Sequence, residues 1–276
     1  MTAIEAKVAG HYTSGTLQAL IEAGWEKMRA QSDAAPVDQL SGVDEFHIGG
    51  RAATEMVCQQ MELKQGLKIL DVGCGLGGAA RFMAAHYGAD VEGVDLTREF
   101  VEVGNALTKK AGLEDKVRLV RASGLNLPQA DATFDRATMF HVGMNIEDKV
   151  TLFAQISRVL KPGGLLAVYD VLRVGEEALD YPVAWAKDES TSFVSTLATY
   201  QSAIEAAGLS VYATNAKKEL GLEFFARMKA RMAASGPPPL GLHILMGQDA
   251  GVKAANMAAG IAKGAIAPVL VLARKK

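Results

Sequence analysis

A glycine-rich segment is the part of this chain whose residue types and spacing most clearly indicate chemistry. The segment ILDVGCGLGG (69–78) runs from an apolar, strand-like stretch into the pattern G-x-G-x-x-G. The glycines of this pattern are Gly73, Gly75 and Gly78. Glycines at such positions permit a tight turn, a close approach of the backbone to a ligand, and close packing of the helix that follows. The segment therefore predicts a ligand-binding turn between a strand and a helix.

Asp95 gives this turn a chemical partner, because it ends the next apolar run along the chain. In a strand–helix–strand unit, a carboxylate at that place can accept hydrogen bonds from both hydroxyls of a ribose bound over the glycine turn. Asp95 could also, or instead, cap the helix that starts near Thr97. The spacing predicts a site for a ligand that contains a nucleoside.

His141 and Trp185 are the candidates on the substrate side. His141 follows the predicted strand 134–140, and ligands of open α/β sheets bind outside the carboxyl ends of the strands. A neutral imidazole accepts a proton near pH 6.5, so His141 could be a general base or a polar anchor, or it could hold its loop through a backbone hydrogen bond. Trp185, in YPVAWA (181–186), could form the wall of a pocket or belong to the core.

The segments that must position these residues alternate between strand-length apolar runs and helical patterns. Strands are predicted over 67–72, 90–95, 117–121, 134–140 and 164–172. Helices are predicted between them over 78–87, 99–111 and 147–160. Alternation of this kind predicts an α/β fold with helices on both faces of a mostly parallel sheet.

Further elements are predicted on both sides of this core, all within one domain. Helices over 17–28 and 51–63 come before it; a helix over 196–207, a strand over 209–214, a mainly helical insertion over 217–262 and a final strand over 267–273 come after it. We expect residues 1–65 to form a helical cover, 66–175 the ligand-binding core, and 176–276 a substrate lid with the final strands.

Composition narrows the function class. The 276 residues carry a formal net charge of -2 and are 49% hydrophobic, which suits a globular protein and disfavours a nucleic-acid partner. The two cysteines cannot form a disulfide framework, so a reducing cytoplasm is expected. No run approaches the roughly 20 apolar residues that cross a membrane, and no spacing of His, Cys, Asp and Glu predicts a metal site.

Several motifs in order resemble those of the class I S-adenosylmethionine-dependent methyltransferases. They are ILDVGCGLGG, VEGVD (91–95), NLPQADATFD (126–135) and RVLKPGG (158–164), and the resemblance covers about residues 45–172. It implies a Rossmann-like sheet of seven strands with the last strand antiparallel, an N-terminal helical cover and a C-terminal helical lid. It also implies S-adenosylmethionine as the cofactor.

Carried onto matching positions, the resemblance implies a set of cofactor-binding residues. They are Tyr12, Asp71, Gly73, Gly75, Gly78, Asp95, Leu96, Ser123 and Gly124. Ser123 stands where many relatives carry an Asp that binds the adenine amino group, and a hydroxyl can accept that bond more weakly. Tyr12 could instead be packed by its ring. Arg51 could pair with the cofactor carboxylate or be a solvated surface residue, and His47 is a further candidate contact.

Two segments resemble the branch of this family that methylates small molecules. EFHIGG (45–50) is one; FDRATMFHVGMNIEDK (134–149) resembles the phosphoethanolamine and sarcosine-type methyltransferases, with Gly143, Met144 and Asn145 as an insertion after His141. The resemblance implies transfer of a methyl group to N, O or C of a small molecule. The alternatives are an NAD-dependent oxidoreductase, which would lack KPGG before the fifth strand, and a non-catalytic protein that binds S-adenosylmethionine.

Overall fold

The computed structural model describes all residues, 1–276. Its helices are α1 (Ala3–Tyr12), α2 (Leu17–Arg29), α3 (Pro36–Asp44), α4 (Arg51–Gln60), α5 (Gly78–Tyr87), α6 (Arg98–Lys110), α7 (Lys149–Val159), α8 (Leu197–Ala206), α9 (Lys218–Ser235), α10 (His243–Met246) and α11 (Ala250–Ala262). Its strands are β1 (Lys68–Val72), β2 (Asp90–Asp95), β3 (Val117–Arg121), β4 (Phe134–Phe140), β5 (Leu160–Arg173), β6 (Leu209–Ala216) and β7 (Ile266–Lys275). Short 3₁₀ turns lie at Gly143–Asn145 and Glu189–Thr191.

The strands form one sheet in the order β3-β2-β1-β4-β5-β7-β6. Strands β1 to β5 pair in parallel, whereas β7 is antiparallel to both β5 and β6. The predicted fold, a seven-stranded sheet whose last strand runs against the others, is confirmed. The strand order reverses between β1 and β4, and the crevice at such a point is where open α/β sheets bind ligands.

Helices cover both faces of the sheet and bury it. The largest apolar cluster joins β1, β4, β5 and β7 to α7 and α8 through side chains that include Phe153, Ile156 and Tyr200. A second cluster packs α5 against β1 and β2 through Phe82 and Met83. Because both faces are covered, the central strands are near-continuous apolar runs, which is why they stand out in the sequence.

Two N-terminal helices, α1 and α3, are not among the elements predicted from the sequence. Helix α1 has no fully buried residue, and its few apolar residues give only a weak pattern. It begins with a capping box in which Thr2 and Glu5 each bond the other's backbone N–H. Helix α3 begins at Pro36, a residue that favours the first turn of a helix.

Helices α2 and α3 belong to the body of the protein. Leu17, Ile21 and Trp25 of α2 pack in one cluster with Leu40 of α3 and with α6. No helix of the chain combines the length and apolar character that a membrane crossing needs.

A buried ion pair fixes α3 to α5. Arg81 and Asp44 have almost no exposed side-chain surface, and Arg81 Nη2 lies 2.7 Å from Asp44 Oδ2. Arg81 Nη1 also donates to Thr108 Oγ1 at 2.9 Å and to the carbonyl of Gly104 at 3.1 Å, both in α6. Three helices therefore meet at one guanidinium.

The strand before the C-terminal third is longer than predicted. β5 begins at Leu160, directly after α7, and so includes the KPGG segment that was expected to precede it. The insertion over 217–262 contains α9, α10 and α11. The irregular segment that holds Trp185 packs with α9 and α11.

Candidate active site

A cavity of about 420 Å³ lies at the carboxyl ends of β1 to β4. Helix α1, the segment 44–48 and the C-terminal helices form the rest of its wall. Eleven of the candidate site residues from the sequence line it: Tyr12, His47, Asp71, Gly73, Gly75, Asp95, Leu96, Ser123, Gly124, His141 and Trp185. Gly78 is not part of the wall. We call this space the central cavity.

The three glycines of the turn meet three different surroundings. Gly73 has a φ of +71°, and a Cβ there would lie 2.2 Å from Val142 Cγ2. Gly75 has a φ of +54°, and a Cβ there would meet nothing within 4 Å. At Gly78 a Cβ would lie 2.2 Å from the carbonyl oxygen of Asp44. Gly78 therefore lets the end of α3 pack against the start of α5, and Gly75 leaves open space beside the backbone.

Asp95 is held by two backbone N–H groups. Its Oδ2 accepts from Gly75 N at 2.9 Å and its Oδ1 accepts from Thr97 N at 2.8 Å. Burial raises the pKa of Asp95, and the two backbone hydrogen bonds oppose that rise. Each oxygen keeps a second acceptor site, so Asp95 can bond the amide at the start of α6 and still receive hydroxyl protons.

We expect Asp95→Ala to weaken binding of S-adenosylhomocysteine by about 1.5–3 kcal/mol, the range for a hydrogen bond to a charged group. Isothermal titration calorimetry on the folded variant measures this. Asp90→Ala is the matched control, because Asp90 lies at the other end of β2 and pairs with Lys116 on the surface. The control should change affinity little, and unchanged affinity in Asp95→Ala would remove the ribose role.

Asp71 lies at the end of β1 and is almost fully buried. Thr138 Oγ1 donates to its Oδ1 at 2.8 Å, yet burial raises its pKa to about 7. A cationic ammonium group beside it would favour the ionised form. Asp71 is thus placed to meet an amino group in the cavity.

Arg51 faces away from the central cavity. Its Nε donates to Glu45 Oε1 at 2.8 Å and its Nη2 donates to the carbonyl of Val37 at 2.9 Å. The guanidinium also lies 4.5 Å from the centre of the Phe82 ring. Because its donors are used in these contacts, Arg51 matches neither alternative that the sequence left open: its guanidinium is not free for a cofactor carboxylate, and its side chain is 16% exposed.

Two imidazoles and two aromatic rings form a buried cluster at the end of β4. His141 stacks on Tyr169 with ring centres 5.3 Å apart, and His47 stacks on Phe140 at 5.0 Å. Burial lowers the pKa of both histidines, that of His47 to about 4. Both rings are therefore uncharged at neutral pH.

His141 itself has two unusual features. Its φ is +52°, which is rare for a residue with a side chain, and its buried Nε2 has no hydrogen-bond partner. Its backbone N–H, not its ring, holds the loop by donating to the carbonyl of Tyr169 at 2.8 Å. Strained backbone and an unpaired buried polar atom are typical of functional sites.

Glu5 is a polar residue of the cavity wall that the motifs do not indicate. Its Oε1 accepts a hydrogen bond from Ser123 Oγ, and Ser123 Oγ also accepts from Leu125 N at 3.0 Å. Farther along α1, Asn145 Nδ2 donates to Tyr12 Oη at 3.1 Å. The pattern T-x-x-E at residues 2–5 is the one sequence signal that could have located this helix.

All residues that line the cavity and follow Asp148 in the sequence are apolar. These residues are Ala184, Trp185, Phe224, Phe225, Met228, Leu242, Leu245, Met246 and Met257. Trp185 is both core and wall: it is 1% exposed, and its Nε1 donates to Ser192 Oγ at 3.0 Å. The whole wall contains seven Asp or Glu residues and no Lys or Arg. The C-terminal third therefore supplies an apolar pocket next to the polar turn.

Comparison with known proteins agrees with this architecture. Residues 70–168 match a family described as a methyltransferase domain. Methyltransferase GfsG of Streptomyces halstedii is 34% identical over 175 residues, which are 61% of this chain and 62% of that protein. The 24-methylenesterol C-methyltransferase 2 of Oryza sativa subsp. japonica is 34% identical over 132 residues, 48% of this chain and 36% of that protein. The chain spans less than two thirds of the length of either relative.

A solved structure extends the likeness to the whole fold. The geranyl diphosphate C-methyltransferase from Streptomyces coelicolor A3(2), in complex with Mg²⁺, geranyl-S-thiolodiphosphate and S-adenosyl-L-homocysteine, superposes with a TM-score of 0.73. The superposition covers 100% of this chain and 99% of that one at 17% identity. The sequence match and the sheet order confirm the resemblance: residues 70–168 are a methyltransferase domain, and the chain has the fold of the class I S-adenosylmethionine-dependent methyltransferases.

Proposed function

We propose that this chain transfers a methyl group from S-adenosylmethionine to an uncharged, largely apolar small molecule. The observation that carries the proposal is the composition of the central cavity. A glycine turn with Asp95 and Asp71 forms one part of its wall, and the C-terminal third contributes only apolar side chains to the rest.

The residues present fit the cofactor. Gly75 leaves open space where any side chain would project, and Asp95 offers two carboxylate oxygens with free acceptor sites. Asp71 is the candidate partner of the amino group, and Leu96 is an apolar candidate for the adenine face. The nucleoside would thus extend from the turn after β1 past the end of β2.

The chain's own contribution to the reaction is positioning and exclusion of water. When bound, S-adenosylmethionine supplies a methyl group activated by a positively charged sulfur. Trp185, Phe225 and Met257 would hold the acceptor and keep water out of the pocket. Holding the acceptor raises the fraction of time that it spends in line with the methyl group. His141 would accept a hydrogen bond or a proton at Nε2 from an acceptor hydroxyl or amine.

The charge of the wall argues for an acceptor without phosphate. Phosphate groups are usually bound by Arg, Lys or clustered backbone N–H groups, and the lining has seven carboxylates and neither basic residue. The rice relative is named as a sterol C-methyltransferase, which fits an apolar acceptor. The structural neighbour is named for geranyl diphosphate and its complex contains Mg²⁺. This wall offers a diphosphate no cationic side chain, and the chain has no group of three or more His, Cys, Asp or Glu side chains that could hold a metal ion.

The two alternatives from the sequence are less well supported. An NAD-dependent oxidoreductase is disfavoured because residues 70–168 match a methyltransferase domain. A non-catalytic protein is disfavoured by the apolar pocket beside the cofactor turn, which such a protein has no need to keep. We also propose a cytoplasmic location, because Cys58 and Cys74 are both buried free thiols.

A screen with radiolabelled S-adenosylmethionine tests the proposal. We expect methyl transfer to members of a panel of sterols, isoprenoid alcohols and phenols, and none to geranyl diphosphate or phosphoethanolamine. Asp95→Ala is the control for background transfer. Turnover confined to the phosphorylated compounds would refute the acceptor class. Binding of NAD without binding of S-adenosylmethionine would refute the reaction.

A further inference from the structure

Helix α1 is attached to the body through polar contacts at the edge of the central cavity. No residue of the helix is fully buried, and its ring contacts to the body are those of Tyr12, whose ring centre lies 5.7 Å from that of Phe100 and 6.3 Å from that of Phe46. Its polar side-chain contacts to the body are Glu5 with Ser123, His11 Nε2 with the carbonyl of Ala184 at 2.9 Å, and Tyr12 with Asn145. Because Glu5 and Tyr12 line the cavity, the helix is positioned to contact a ligand bound there.

Glu5 presents an ionised carboxylate to the cavity. Burial opposes its ionisation most strongly, but hydrogen bonds from Ser123 and Thr2 together outweigh burial, so its pKa is lowered. Its side chain is 14% exposed. Oε1 accepts from Ser123 and Oε2 accepts from Thr2 N at 2.6 Å, and each oxygen keeps one more acceptor site.

The position of Glu5 along the sheet edge indicates what it would contact. The loops after β1, β2 and β3 lie side by side, because these strands are neighbours in the sheet. If Asp95 after β2 receives the ribose, the base extends towards the loop after β3, where Ser123 holds Glu5. The amino group of adenine is a hydrogen-bond donor, and Ser123 already gives its hydroxyl proton to Glu5.

We propose that Glu5, carried on α1, accepts a hydrogen bond from the adenine amino group and makes this helix part of cofactor recognition. The inference rests on the proposed function, since it takes S-adenosylmethionine as the ligand. Ser123 then positions the carboxylate instead of reading the base. The acidic group that the loop after β3 lacks is supplied by a helix more than a hundred residues away in sequence.

The test compares two ligands that differ at one group of the base. S-adenosylhomocysteine carries the amino donor, whereas S-inosylhomocysteine carries a carbonyl acceptor there. We expect wild-type protein to prefer the adenosine form by roughly tenfold or more in Kd, because a site built for a donor rejects an acceptor. Glu5→Ala should bring this ratio close to one, and Glu5→Gln, whose amide can donate, should improve the relative affinity for the inosine form.

Glu99→Ala is the matched control. Glu99 accepts from the backbone N–H groups of Ser14 and Leu17, so its loss loosens the same N-terminal segment at a point outside the cavity. It should weaken both ligands alike and leave the ratio unchanged. An unchanged ratio in Glu5→Ala would overturn the inference and leave Glu5 as a mere anchor of α1. Failure of the wild type to bind either ligand would overturn the proposed function, and this inference with it.

Discussion

Replacing His141 with asparagine is expected to lower kcat about 10²-fold while the affinity for S-adenosylhomocysteine stays nearly the same. The ring lines the cavity, and its buried Nε2 has no hydrogen-bond partner within the protein, so the hydrogen-bonding capacity of that atom is unused. Proton transfer by a positioned side chain contributes about 10²- to 10⁴-fold. We expect the lower end, because burial, together with His47, lowers the pKa of His141 and makes it a weak base.

Asparagine is the informative replacement because of the backbone. His141 has a φ of +52°, a conformation that asparagine adopts more readily than alanine. His141→Ala should therefore lose stability as well as kcat, whereas His141→Asn keeps a hydrogen-bonding group and loses only the ability to take up a proton. Steady-state kinetics and thermal unfolding of both variants separate these effects. If His141→Asn keeps a kcat near that of the wild type, His141 is a polar anchor for the acceptor and not a base. If His141→Ala also keeps a kcat near that of the wild type, His141 has no role in the reaction.

Replacing Arg81 with methionine is expected to lower the free energy of unfolding by about 3–5 kcal/mol, the cost of leaving a buried charge without its partner. Asp44 is as deeply buried as Arg81, and burial already raises its pKa despite the guanidinium beside it. Without Arg81 the carboxyl group must either stay charged in an apolar setting or take up a proton. Urea unfolding monitored by circular dichroism measures the loss.

Two further variants control this experiment. Arg98→Met removes the partner of Glu102 from an exposed ion pair on α6 and should leave the free energy of unfolding nearly unchanged. The double variant Arg81→Met/Asp44→Leu removes both buried charges and should recover part of the loss. A cost for Arg81→Met as small as that of Arg98→Met would contradict the view that this pair holds α3, α5 and α6 together.

The sheet could be predicted from the sequence, because the pattern that identifies each strand lies within a few neighbouring residues. Buried strands such as β1 are apolar runs that end at glycine or aspartate, and a few neighbouring residues suffice to recognise them. The motifs that resemble the methyltransferases supplied what local patterns cannot, the antiparallel last strand. The beginning of β5 was missed because its first residues, Lys161 to Gly164, are those of a turn.

The contacts between distant segments could not be predicted. Glu5 and Ser123 are far apart in the chain, and the apolar pattern of α1 is too weak to reveal its existence. For Arg51 the sequence left a cofactor carboxylate and the solvent as alternatives, whereas its actual partner Glu45 is known only once the segment before α4 has folded back. The low pKa of His141 likewise depends on its burial by the folded chain and, to a smaller extent, on the neighbouring ring of His47.

Helix α1 has a consequence for how tightly the cofactor is held. An isolated helix of ten residues is marginal in water, and this one has no fully buried residue, with Tyr12 as its aromatic contact to the body. The fraction of molecules with α1 in place therefore enters the apparent dissociation constant directly, since a ligand that needs α1 binds only that fraction. Substitutions that strengthen the helix at solvent-facing positions would therefore tighten binding without touching the cavity.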